Sequence, residues 1–230
     1  MLNISNRKIN RTIFTTAAVL LAMIISLAAV SAEPVQVQSG SPLGNKDVGK
    51  NETAIGDLVA DAVRNALRAD IALISASELK PKDTPIAEGG VKSSEITALI
   101  SYPDDPLAVL QIKGSQIRET LEKAVSIYPQ PNLGFLQVSG LSFTFEPKKT
   151  VGERVSAIRV GGSAIDENGF YTVAVTNSMA NGALGYWKIW TRDDVKARFA
   201  DNSIVKAVEA YLKATLRVNY GSLDRITVVK

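Results

Sequence analysis

The chain has 230 residues and contains neither histidine nor cysteine. The missing cysteine excludes disulfides and thiolate metal sites; the missing histidine removes the commonest zinc ligand and the usual proton shuttle at neutral pH. There are 26 basic and 23 acidic residues, but three of the basic ones (Arg7, Lys8, Arg11) and none of the acidic ones fall in the first 32 positions. The remainder is balanced in charge, so the basic face that a nucleic-acid partner needs has no support in composition.

Residues 1–32 read as an export leader. The three basic residues form its head, an apolar stretch covers residues 13–30, and Val30-Ser31-Ala32 places small residues before a cut at Glu33. The stretch, at about 18 residues, is also long enough for an uncleaved anchor. Either way the rest of the chain is expected outside the cytoplasm, periplasmic, extracellular or at the cell surface, because the basic residues stay inside. Residues 33–50, rich in Pro, Gly, Ser and Gln, read as a linker or as an edge strand at Val35-Gln36-Val37. Residues 51–230 read as one folded domain, long enough to bury a core without covalent staples.

Within it, Ile55, Leu58, Val59, Ala62 and Ala66 recur at helical spacing, predicting a helix over residues 53–68 with Asn51 or Thr53 as its cap. Ile71-Ala72-Leu73-Ile74 suits a strand buried on both faces. Residues 80–90 read as a loop by their prolines and glycines, and Ser93 or Ser94 as the cap of a short helix to Ile100. A second buried strand is expected over residues 107–112, then a helix opened by Gly114. The period then changes to two, and strands are expected at residues 135–138, 141–145, 154–160 and 171–176. A last helix over residues 203–216 and a strand over 225–229 close the chain. Helices early and strands late, without strict βαβ alternation, predict an α+β fold: a single domain with a mixed β-sheet and packed helices.

Local motifs carry little chemistry. Gly44-Asn45-Lys46-Asp47-Val48-Gly49-Lys50-Asn51 approaches a phosphate-binding loop, but Asn51 stands where a metal-ligating hydroxyl is needed. Ser77-Glu78-Leu79-Lys80 has the spacing of a Ser–Lys dyad, but its partner motifs are absent and Pro81 follows at once. Asp104-Asp105 and Asp193-Asp194 are adjacent pairs, whose side chains do not converge as an acid and a base must. These residues imply no catalytic residue, no metal site and no cofactor.

A series of segments in fixed order resembles the C-terminal, substrate-recognition domain of the 5'-nucleotidase and UDP-sugar hydrolase family. The opening helix resembles Glu52-Thr53-Ala54-Ile55-Gly56-Asp57-Leu58-Val59-Ala60-Asp61-Ala62, and the first strand Ala69-Asp70-Ile71-Ala72-Leu73. The most specific segment is Gly134-Phe135-Leu136-Gln137-Val138-Ser139-Gly140-Leu141; Tyr171-Thr172-Val173-Ala174-Val175-Thr176, Asn181-Gly182, Gly185-Tyr186 and Asp224-Arg225-Ile226 follow. The resemblance implies the fold of that domain. It also implies that catalysis, at a two-metal centre held largely by histidines, belongs to a separate N-terminal domain.

By family position the candidate ligand-binding residues are Lys80, Asp105, Asn181, Gly182, Gly185 and Tyr186. The match is incomplete: Lys80 replaces an arginine that holds phosphate, Pro103 and Ser178 replace the two aromatic walls of the base site, and Leu184 replaces an aspartate. The expectation is therefore an exported, stand-alone recognition module for a nucleotide or nucleotide sugar, working with a separately encoded metallophosphatase chain. The alternative is a repurposed, non-catalytic module for another ligand or a protein partner. Neither reading includes nucleic acid, and a membrane enters only through an uncleaved leader.

Overall fold

The computed structural model describes residues 34–229. The expected leader lies outside the described residues. Residues 34–50, expected as a linker or as an edge strand at Val35-Gln36-Val37, belong to the fold, and the strand that overlaps the expected one, Gln36–Ser39, is central in a three-stranded sheet rather than at its edge. They form β1 (Gln36–Ser39) and β2 (Leu43–Asn45) and bury Val37, Leu43, Asn45 and Val48. Their apolar residues are sparse, but burial alternates along β1, so each one is placed on the inner face. The near-match to a phosphate loop thus lies partly in a strand, with Asn45 inside rather than in a loop around an anion.

Thr53 caps α1 (Ala54–Leu67), its hydroxyl accepting from the Gly56 N–H at 3.0 Å. The helix ends at Arg68, in the left-handed region at φ 51°. β3 (Ile71–Ser75) follows and is buried along its whole length. The stretch expected as a loop instead contains β4 (Lys82–Ile86) and β5 (Gly89–Lys92), which pair with β2 and β1. Pro85 is tolerated in β4 because that strand has one partner and leaves its other side free.

Next come α2 (Ser93–Thr97), β6 (Pro106–Lys113) and α3 (Gly114–Ala124). Ser93 does not cap α2; its hydroxyl accepts from the Val35 N–H at 3.1 Å, tying the helix to the entering chain. Gly114 is required at the start of α3, since a Cβ there would lie 2.1 Å from the Asp166 carbonyl oxygen. Four strands follow: β7 (Leu136–Ser139), β8 (Leu141–Phe145), β9 (Val155–Val160) and β10 (Ser163–Ala164). Then come β11 (Phe170–Thr176), α4 (Asn177–Ala180), β12 (Val195–Ser203), α5 (Ile204–Thr215), β13 (Arg217–Val218) and β14 (Ile226–Val228).

The central sheet has the order β12-β6-β11-β3-β7. β3 and β11 are parallel and the other pairs antiparallel, so the sheet is mixed and the fold is α+β, as expected. α1 packs against β3 and β7 and is covered by α5. A second sheet, β10-β9-β8-β14, extends from the β7 side. No helix among the described residues is long and apolar enough to cross a membrane.

Two buried polar side chains fix how these parts meet. Gln137 in β7 accepts from the Thr53 N–H at 2.9 Å and donates to the carbonyls of Asn51 at 2.8 Å and Val48 at 3.2 Å. It thereby holds the entering chain and the start of α1 against the sheet. Gly56 has no side chain because a Cβ would lie 2.3 Å from the Gln137 amide oxygen. Glu78, just after β3, is 3% exposed. One of its oxygens accepts from the Ser75 N–H at 2.8 Å, and the other from the Thr176 hydroxyl at the end of β11.

Burial pushes the Glu78 carboxyl up to about 7, against the two hydrogen bonds, with nearby Asp105 adding to the rise. The folded protein therefore keeps this proton to higher pH than the unfolded chain. The stability it contributes is complete below the ordinary value of 4.5 and is lost as pH rises through about 7. Between about pH 5 and pH 8, urea unfolding of the Glu78→Gln protein should show a fall in stability smaller than that of the unmodified protein by on the order of 2 kcal/mol. An unchanged pH dependence would assign the titration elsewhere. Gln137→Leu leaves the Thr53 N–H and two buried carbonyls unpaired, and should cost about 2–3 kcal/mol in the same measurement; a loss below about 0.5 kcal/mol would show that this joint is dispensable.

Candidate functional site

Because β3 and β11 run parallel, their C-terminal ends lie side by side, and β6, antiparallel to β11, begins at the same end. Three loops therefore meet there: residues 76–81, 101–105 and 177–188. They are bonded to one another. The Glu78 carbonyl accepts from the Ser101 N–H at 2.9 Å, the Lys80 N–H donates to the Leu99 carbonyl at 2.7 Å, and the Ser178 N–H donates to the Asp105 carboxylate at 3.2 Å. Beneath them the Glu78 side chain joins the first loop to the third through Thr176.

The six residues expected at the site divide into three groups. Asp105 and Asn181 are on this face; Asn181 is exposed and Asp105 half-buried. Asp105 receives the Ser178 backbone, and Asn181 accepts from Arg198 at 2.9 Å. Lys80 is exposed but its ammonium is bonded to the Ala98 carbonyl at 3.0 Å, at the end of α2. Ser77 bonds instead to the Ser75 hydroxyl at 2.8 Å, so the Ser–Lys spacing builds no dyad.

Gly182, Gly185 and Tyr186 shape the third loop from within. Gly182 has φ +85°, and a Cβ there would lie 2.4 Å from that of Trp187; Gly185 has φ +81°. These glycines let the chain fold back so that Tyr186 enters the core. Its ring stacks on Trp190 with centroids 4.9 Å apart, and its hydroxyl donates to the Gly134 carbonyl at 2.7 Å. Tyr186 is fully buried, so it offers no face to a ligand. Trp190 is likewise inside, donating to the Met179 carbonyl at 3.0 Å. The exposed rings in these three loops are Tyr102, 57% accessible, and Trp187, 64% accessible.

The sequence reading missed β12 and the charges it carries. Asp193-Asp194 lies in a short 3-10 turn capped by Thr191, and the strand that follows is the edge of the central sheet beside β6. Arg198 on this strand donates to the side chains of Asn177 and Asn181. With Arg192 and Lys196 it lines a groove of about 460 Å³ along this edge strand, which Arg198 joins to the third loop through Asn181. None of the three cations has a carboxylate within 4.0 Å among the described residues. The available signal was the alternation Val195-Lys196-Ala197-Arg198-Phe199, hidden because no apolar run marks an exposed edge strand.

The donor chemistry does not fit the two-metal centre implied by the resemblance. The chain has no histidine, and the described residues contain no group of three or more His, Cys, Asp or Glu placed to hold a metal ion. The edge groove offers cations that can hold an anion, and the loops offer exposed rings that can stack on another ring.

Comparison with known proteins agrees with this architecture. Residues 30–191 match the family described as 5'-nucleotidase, C-terminal domain. Among curated relatives, an apyrase from Aedes albopictus is 24% identical over 183 residues, which is 76% of this chain and 31% of the relative. A 5'-nucleotidase precursor from Thermus thermophilus superposes with a TM-score of 0.75 at 25% identity, covering 94% of this chain and 43% of that one. The NAD nucleotidase of Haemophilus influenzae shares the fold with a TM-score of 0.72 at 15% identity, over 100% of this chain and 43% of its own. The chain spans about a third or less of the curated relatives' length. With the family matched over well beyond half its length, the chain belongs to the 5'-nucleotidase C-terminal domain family.

Proposed function

We propose that this domain is an exported recognition module for a nucleotide or nucleotide sugar, and that hydrolysis is performed by a metallophosphatase domain or chain rather than by these residues. The observation that carries the reading is the meeting of a cationic groove, lined by Arg192, Lys196 and Arg198, with the loop end that bears Asn181 and exposed Trp187. A phosphate arm suits the groove, where charge-assisted bonds to guanidinium are strong and geometrically defined. A base suits an exposed ring, where stacking contributes about 1–3 kcal/mol. Family membership supports the ligand class, and the lack of a metal donor set among the described residues supports the division of labour. Export rests on the leader pattern of residues 1–32.

A second reading has its own support. Tyr186 is buried, Lys80 is bonded to a helix end, and Ser178 stands at the position of an aromatic wall. A scaffold repurposed for another ligand or for a protein partner would retain the loops and lose these contacts in the same way.

Calorimetric titration with AMP, adenosine and UDP-glucose separates the two. Saturable binding of AMP and UDP-glucose is expected, weakened about tenfold by combined Arg192→Gln and Lys196→Gln, with adenosine binding unchanged by the substitutions. Neither side chain holds another element by a hydrogen bond among the described residues, so the variant should fold normally. Absence of binding by all three compounds would select the repurposed scaffold.

A further inference from the structure

We propose that the opposite end of the central sheet carries a second binding site, which grips the phosphate group of a small phosphorylated molecule between Arg64 and Arg159. β7 runs antiparallel to β3, so its C-terminal end, Ser139 and Gly140, lies at the end away from the three loops. A cavity of about 340 Å³ opens there, within the range of small-molecule sites. Asp61, Arg64, Ser142, Arg159 and Arg225 are among the residues that line it.

The charge balance within the cavity selects an anion. Asp61 is its only acidic lining residue among those described, and both carboxylate oxygens are already occupied. One accepts from the Ser139 hydroxyl at 2.6 Å and Arg225 at 2.8 Å; the other accepts from the Tyr220 hydroxyl at 3.0 Å and Arg225 at 2.9 Å. Asp61 and Arg225 therefore neutralise each other. Asp57 behind them is 1% exposed, and burial pushes its carboxyl upward toward the neutral form; its contact with Arg225, at 3.4 Å, is longer than those of Asp61. What remains is the charge of Arg64 and Arg159, neither of which has a carboxylate within 4.0 Å among the described residues.

Both guanidinium groups are positioned by the backbone through a single nitrogen. Arg64 donates through Nε to the Asp70 carbonyl at 3.0 Å and lies across Gly140, where a Cβ would approach that Nε to 2.6 Å. Arg159 donates to the Gly162 carbonyl at 3.1 Å, in the two-glycine turn between β9 and β10, where Gly161 and Gly162 have φ +57° and +84°. The remaining N–H groups of both have no protein acceptor among the described residues. Two oriented forks beside a neutralised acid match a phosphate dianion better than a carboxylate, which one fork saturates. The cavity is larger than an orthophosphate ion, so the phosphate is expected on a larger molecule. This site does not depend on the nucleotide reading.

The test is titration of the purified protein with inorganic phosphate and pyrophosphate at low ionic strength, followed by backbone amide NMR and calorimetry. Saturable shifts are expected at Gly140, Gly161 and Gly162, with pyrophosphate binding more tightly than phosphate. Affinity should fall tenfold or more in an Arg64→Gln, Arg159→Gln protein and be retained in the Arg192→Gln, Lys196→Gln protein. The proposal is overturned by the absence of saturable shifts at those glycines in the unmodified protein, or by affinity that survives loss of Arg64 and Arg159. Because the shift pattern is read on the unmodified chain, the conclusion does not depend on the variants folding.

Discussion

The candidate face rests on one desolvated carboxyl. Glu78 follows a fully buried strand and cannot reach water, so it persists only because both oxygens are hydrogen-bonded and because it holds its proton to about neutral pH. Its side chain reaches the end of β11, and its backbone carbonyl takes the loop that precedes β6. Three loops from distant parts of the sequence are thereby held as a unit, with Asp105 and Ser178 completing the connection above. Moving any one of them would expose or orphan a buried polar group, which makes the face a rigid platform rather than a set of independent loops.

Buried polar joints recur elsewhere in the molecule. Gln137 holds the entering strands to the start of α1, and Glu52 accepts the backbone N–H groups of Arg225 and Ile226, docking β14. These residues lie in segments through which the family was recognisable. The resemblance is thus strongest where polar side chains solve problems of assembly, and weakest at the loops that would touch a ligand.

This division explains what was legible in the sequence. β3, α1, α5 and the late strands follow from hydrophobic period and caps, because burial imposes a pattern on neighbouring residues. β2, β4, β5 and β12 were hidden, and β1 was legible only as an alternative to a linker, because each is short or at an edge, with too few apolar residues in a row to set a period. Asn181 and Asp105, named from their family positions, lie on the candidate face. Arg198 was not named, since its role comes from a strand pairing that no local pattern reveals. Tyr186 shows the converse: a residue found through the ligand loop proves to be a core side chain, whose burial depends on two glycines folding the chain back.

The central claim is that this end of the sheet recognises a nucleotide through its base and phosphate together. The most direct measurement is of intermolecular nuclear Overhauser contacts between the adenine protons of bound AMP and the protein. The account predicts contacts to the ring protons of Tyr102 or Trp187. Adenine contacts confined to the opposite end of the sheet, around Arg64 and Arg159, or no adenine contacts at saturating AMP, would contradict it.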